Sequence, residues 1–385
     1  MKPPPTLTPL VDGRRVILVV GCGGVGKTTV TAALGLAAAQ RGRRVLCLTI
    51  DPARRLANSL GLSRMTSEAQ EVAPALFEAA GLRVQGSLTV MMLDTKRTFD
   101  DLVSRHASSP EARDRILHNR LYRYVSTSLA GTQEYMAMEK LLSVRDDPRF
   151  DLVVLDTPPT SNALDFLDAP ERLVQALDSA AMRWFIQAFD ASRKFSLNLL
   201  ARSAALILKA IGRLTGGGFL EQVAEFVTDL NDLFGGLKQR AALVAKAFRG
   251  PEFAYVLVTS PEPVAVREVL FFAERLKELG MRRDGFVVNR VHKPPRSLAT
   301  PAEIGAALGA HRLTLGDRGS ERIERAIADE QKQAELDVGH LDALGRALVG
   351  GASEPATVRV DVPALPSDVH DLGTLAGIAS LLCPA

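Results

Sequence analysis

A chain of 385 residues with 46% hydrophobic residues can bury a large core, and its length is that of two or three average domains. Its 47 basic and 44 acidic residues leave a formal charge of only +3, spread along the chain, so no electrostatic footprint argues for nucleic acid. Cys22, Cys47 and Cys383 form no Cys-x-x-Cys pair, and no two of the six histidines lie three or four residues apart, so a structural disulfide or zinc site is not expected.

The opening MKPPPTLTPLVDGRR is proline-rich and has no signal-peptide core, so residues 1–12 are expected as a flexible arm and the chain as cytoplasmic. VILVV then reads as a strand, followed by Gly21-Cys22-Gly23-Gly24-Val25-Gly26-Lys27-Thr28-Thr29 and an alanine-rich helical pattern. The spacing Gly21-x-x-x-x-Gly26-Lys27-Thr28 in that strand–loop–helix setting is a P-loop pattern. Backbone N–H groups from Gly23 to Thr28 would cradle phosphates at a helix start whose dipole favours negative charge. Lys27 would reach the β- and γ-phosphates, Thr28 would ligate magnesium and Thr29 would bond the α-phosphate.

RVLCLTI follows as a strand ending at Asp51, then LTVMML, and then FDLVVLDT, which supplies Asp156 as the magnesium-linked carboxylate at a strand end. Ligands in such sheets bind beyond the carboxyl ends of the strands, where Lys27, Asp51 and Asp156 could converge. Residues 95–145 and 161–250 break the strand–helix alternation and are expected as helical insertions, the second interrupted at Gly216-Gly217-Gly218. Its most apolar stretch, FSLNLLARSAALILKAIGRL, is broken by Arg202 and Lys209, so stable membrane insertion is not expected. AYVLVTS and GFVVNRV complete the strand runs, and residues 315–350 read as a polar, solvated helical excursion. The alternation predicts an α/β fold: a doubly wound, mostly parallel P-loop sheet over residues 13–385, with the helical subdomain inserted.

With these motifs the chain resembles the ArsA-like ATPases, deviant P-loop ATPases that include arsenical pump ATPases and the cytosolic ATPases that deliver tail-anchored membrane proteins. The resemblance covers nearly the whole chain. It rests on GCGGVGKTT for the P-loop, TIDPARRLANSL for the first switch segment, and AGTQEYMAMEK and LDTPPTSNALDFL for the second. VTSPEPVAVREVLFFAERLKELG, GFVVNRV and DVPALPSDVHDLGTL match the closing strands and adenine-side loops. It implies a Mg2+-dependent ATPase in which Asp51 orients or deprotonates the attacking water, Asn289 bonds the adenine and Pro363 lies in the loop beside it. Elementary chemistry agrees for Asp51, since a carboxylate beside the γ-phosphate can accept a proton from water. An asparagine ending a strand, such as Asn289, is as often a turn residue.

The chain departs from the family pattern in three places. Members usually carry a lysine in place of Cys22, which reaches across a dimer to the partner's nucleotide; Arg54 and Arg55 are the substitutes available in the first switch. The Cys-x-x-Cys zinc clip of the tail-anchor branch is missing, so a dimer needs another interface. The clustered cysteines and second P-loop of arsenical pump members are also missing, so arsenite is not the expected ligand. The leading expectation is a dimer, with itself or a paralogue, that closes across ATP and controls a helical subdomain's affinity for a hydrophobic client. The alternative is an ATPase that docks on and energises a membrane anion transporter. A third is a partitioning-type regulator; such proteins often end in a basic amphipathic helix, and LAGIASLLCPA carries no basic residue.

Overall fold

The computed structural model describes residues 5–50, 55–62, 65–119, 122, 126, 132–158, 160–178, 239–295, 300–311, 318–348 and 357–384. Asp51 and Arg54 of the first switch, and residues 179–238 of the second expected insertion with Trp184, lie outside the described residues.

An eight-stranded, mostly parallel sheet of the P-loop type organises the molecule, in the order β3-β4-β2-β5-β1-β6-β7-β8. Its strands are β1 Val16–Gly21, β2 Arg44–Thr49, β3 Gln70–Glu71, β4 Ser87–Met92, β5 Leu152–Asp156, β6 Phe253–Thr259, β7 Gly285–Val291 and β8 Val358–Pro363. β1, β5 and β6 are buried at every residue, which is why they read as unbroken apolar runs: a parallel strand covered on both faces has no solvent side to mark. β5 pairs in parallel with both β1 and β2, so the carboxyl ends of the three strands lie side by side. The edge strand β3 runs antiparallel to β4.

Of the stretch expected as a flexible arm, the described residues 5–12 are packed rather than loose. Helix α1 (Thr8–Gly13) forms there, with Leu7 and Val11 at 0% exposure. Leu7 N donates to Leu382 O at 2.9 Å, and Arg43 donates to the carbonyls of Val11, Arg14 and Asp151, so one guanidinium ties the arm to two strands. Proline content signalled looseness, but the apolar pair spaced by four residues decides the outcome.

Helix α2 (Lys27–Gln40) follows β1, and α3 (Arg55–Ser59) and α4 (Pro74–Ala79) follow β2 and β3. The chain divides into two compact units, residues 1–91, 151–160 and 254–385 in one and 92–150 and 161–253 in the other. The second unit contains α5 (Thr95–His106), α6 (Pro110–His118), α7 (Thr132–Arg145), most of α8 (Thr160–Leu177), and α9 over residues 239–248. Glu139 is buried there, accepting from Tyr135 Oη at 2.6 Å and Arg240 Nε at 2.9 Å. The first unit continues with α10 (Pro263–Glu278), α11 (Pro301–Ala310), α12 (Gly319–Leu348) and α13 (Leu372–Leu382). α12 falls in the polar stretch, yet it buries Ala334, Asp337, Leu341 and Leu344 at helical spacing and packs on α10 and α11.

Candidate nucleotide site

β1 delivers the loop to the middle of the sheet. A Cβ on Gly21 would collide with the carbonyl of Val258 on β6, so the loop can leave there only without a side chain. Gly24 and Gly26 sit at φ 82° and 98°, the left-handed region that favours glycine. α2 then starts at Lys27 with no side chain capping its first turn, leaving the backbone N–H groups and the positive end of a 14-residue helix for a ligand.

In front of this helix start lies a cavity of about 490 Å³, within the usual range for small-molecule sites. Gly23, Gly24, Gly26, Lys27, Thr28 and Thr29 line it from the loop. Arg55, Asn58 and Ser59 line it from α3, and Asp156, Thr157 and Pro158 from the end of β5. Arg290 and the loop residues Asp368, Val369 and His370 complete the lining.

Asp156, 2% exposed, accepts from Thr28 Oγ1 at 2.7 Å and from Thr49 Oγ1 at 3.1 Å. Thr157 donates its hydroxyl to Val19 O at 2.8 Å, locking the end of β5 to β1. Lys27 Nζ donates to Cys22 O at 2.9 Å, so the cation rests on its own loop. Burial and the nearby Glu268 push the Cys22 thiol up, which keeps this side chain neutral at pH 7, and a thiol supplies no positive charge in either protonation state.

Val25 is buried, and its carbonyl accepts from Asn289 Nδ2 at 2.9 Å. A Cβ on Gly26 would strike that same amide. The structure thus places Asn289 as a strap across the P-loop backbone. Pro363 ends β8 opposite Val291, and the loop that follows it, rather than the proline, reaches the cavity. The sequence reading had not singled out Thr49, Asn58, Ser59, Thr157, Arg290, Asp368, Val369 or His370. Arg290 directly follows Asn289, and the β7–β8 register slips there, between Val288 and Val291, an irregularity that leaves no periodic trace in the sequence.

The donor set fits a magnesium nucleotide. Thr28 and Asp156 put hard oxygen donors side by side at the helix start, as Mg2+ prefers, and the glycine loop that a side chain would obstruct suits a chain of phosphates. Among the described residues no helix is long and apolar enough to cross a membrane.

Comparison with known proteins points the same way. The sequence profile of the anion-transporting ATPase family matches residues 14–297. An ATPase get3 of Pyrenophora tritici-repentis is 25% identical over 299 residues, covering 75% of this chain and 78% of that protein. An ATPase GET3 of Malassezia globosa is 23% identical over 297 residues, covering 76% and 78%. An uncharacterized protein of Streptomyces coelicolor is 28% identical over 321 residues, covering 82% and 71%. The matched span takes in the P-loop, Asp156 and Asn289, and the chain belongs to the anion-transporting ATPase family as an ATPase of the ArsA type.

Proposed function

We propose that this ATPase is a Mg2+-dependent dimeric switch, working in the cytoplasm, whose hydrolysis cycle changes its hold on a hydrophobic client. The observation that carries the nucleotide part is the 490 Å³ cavity joining the uncapped start of α2 to the Thr28–Asp156 pair. In this reading the triphosphate lies along Gly23–Thr29, and Lys27 leaves Cys22 O for the β- and γ-phosphate oxygens. Thr28 and Asp156 hold Mg2+, which when bound offsets charge on the phosphates. Asp51 orients the attacking water. Asn289, its nitrogen committed to Val25, offers its amide oxygen to the adenine amino group, with the loop after Pro363 beside it.

The position of Arg55 on the cavity wall supports a switch arginine supplying the cation that Cys22 cannot. A single P-loop per chain supports pairing of two copies, or of this chain with a paralogue. The expected division into a nucleotide domain with helical insertions at 95–145 and 161–250 belongs to the same reading. Its client part draws on MRWFIQAF and NLLARSAALILKAIGRL, apolar segments outside the described residues. The family's description as anion-transporting favours a second reading, a subunit that energises a membrane anion transporter. Anisotropy of a labelled hydrophobic helical peptide separates the two. The client reading expects binding at least about tenfold tighter with Mg-ATP than with Mg-ADP. Equal affinity in both states rejects the client and leaves the transporter reading.

A further inference from the structure

Asp337 has no part in the reaction as described, yet it is a carboxylate only 2% exposed on a helix whose neighbouring positions, Leu336 and Val338, are 46% and 61% exposed. It accepts from His292 N at 2.9 Å and from His292 Nδ1 at 2.9 Å, while Gln333 Nε2 donates to its other oxygen at 3.1 Å. A buried carboxylate is costly unless hydrogen bonds offset its desolvation, and here two of the three come from one residue, His292. What it fixes is the end of β7. His292 lies two residues beyond Arg290, which lines the cavity at φ 62°, and three beyond Asn289, which holds Val25 of the P-loop. Val291, between them, accepts from Ala364 N at 3.0 Å and so sets the start of the loop that carries Asp368 and His370 to the cavity.

We infer that Asp337 is a positioning residue for nucleotide binding: through His292 it holds the bulged end of β7 so that Asn289 straps the P-loop and Arg290 faces the cavity. α12, the polar helix that carries Asp337, is thereby coupled to nucleotide occupancy. The inference rests on the reading of the 490 Å³ cavity as the ATP site. The coupling is reciprocal, so filling the cavity also slows amide exchange around Asp337.

The test uses the full chain and titrates a fluorescent ATP analogue with Mg2+ into wild type, Asp337→Asn, His292→Ala and His292→Asn, with Lys27→Ala as control. Asp337→Asn and His292→Ala are expected to raise the dissociation constant about tenfold, with kcat at saturation within about twofold. His292→Asn, which restores a donor near the place of Nδ1, is expected to return binding to within about threefold of wild type. A residue that only stabilises the fold would lower the melting temperature and leave the dissociation constant alone; that outcome, in His292→Ala if Asp337→Asn does not fold, overturns the inference. Failure of the wild type to bind, or binding unaffected by Lys27→Ala, overturns the cavity reading and the inference with it. Wild-type binding that is lost only in Lys27→Ala overturns the inference alone.

Discussion

Arg290 occupies the left-handed region, which costs a non-glycine residue about 1 kcal/mol, and it does so where its side chain lines the cavity. Arg290→Gly therefore separates strain from function. The variant is expected to be as stable as wild type or more so, by up to about 1 kcal/mol in urea unfolding, while its affinity for ATP falls about fivefold or more. Unchanged affinity would show that the strain serves something else. Arg55 also lines the cavity, and Arg55→Ala is expected to lower kcat by about 10- to 100-fold with little change in affinity, because a cation aimed at the transferring phosphoryl acts chiefly in the transition state. An unchanged kcat would remove Arg55 from the proposal. Lys27, Thr28 and Asp156 were legible in the sequence because one short loop and one strand end fix their places. Arg290, Asp368 and His370 were not, because a bulge and a loop from a distant strand bring them to the cavity, and neither leaves a periodic trace.

Among the elements, the N-terminal helix shows what composition conceals. Arg43 is half-buried and serves carbonyls on α1, on the loop after it and next to β5, so Arg43→Ala leaves all of them short of a donor. Chemical unfolding is expected to show a loss of about 2–4 kcal/mol. A loss under about 0.5 kcal/mol, the range of ordinary surface changes, would mean that α1 is held by Leu7 and Val11 alone. Central strands were legible because burial on both faces makes them continuous apolar runs, as in LVVL of β5. β3 was not, since a two-residue edge strand of Gln70 and Glu71 has no pattern to read. The long helix α12 was visible as helical, but its buried face was hidden because one of the inward positions is Asp337 rather than an apolar residue.

At the scale of the whole molecule, strand order explains why three distant segments meet. β5 lies between β1 and β2, so the start of α2 with Thr28, the end of β2 with Thr49 and the end of β5 with Asp156 meet at the carboxyl ends of the central strands. If a second copy completes this site, sedimentation with Mg2+ and a non-hydrolysable ATP analogue should show a dimer that is absent without nucleotide; a monomer under both conditions would contradict the switch. The central claim is that the cavity before α2 is the ATP site, with Lys27 its phosphate-binding cation. Calorimetric titration of Mg-ATP analogue into wild type, Lys27→Ala and Asp51→Asn tests it most directly. The account predicts one nucleotide per chain for wild type, binding weaker by about 100-fold or more for Lys27→Ala, and near-normal binding for Asp51→Asn with hydrolysis lost. Binding by Lys27→Ala within a few-fold of wild type would contradict it.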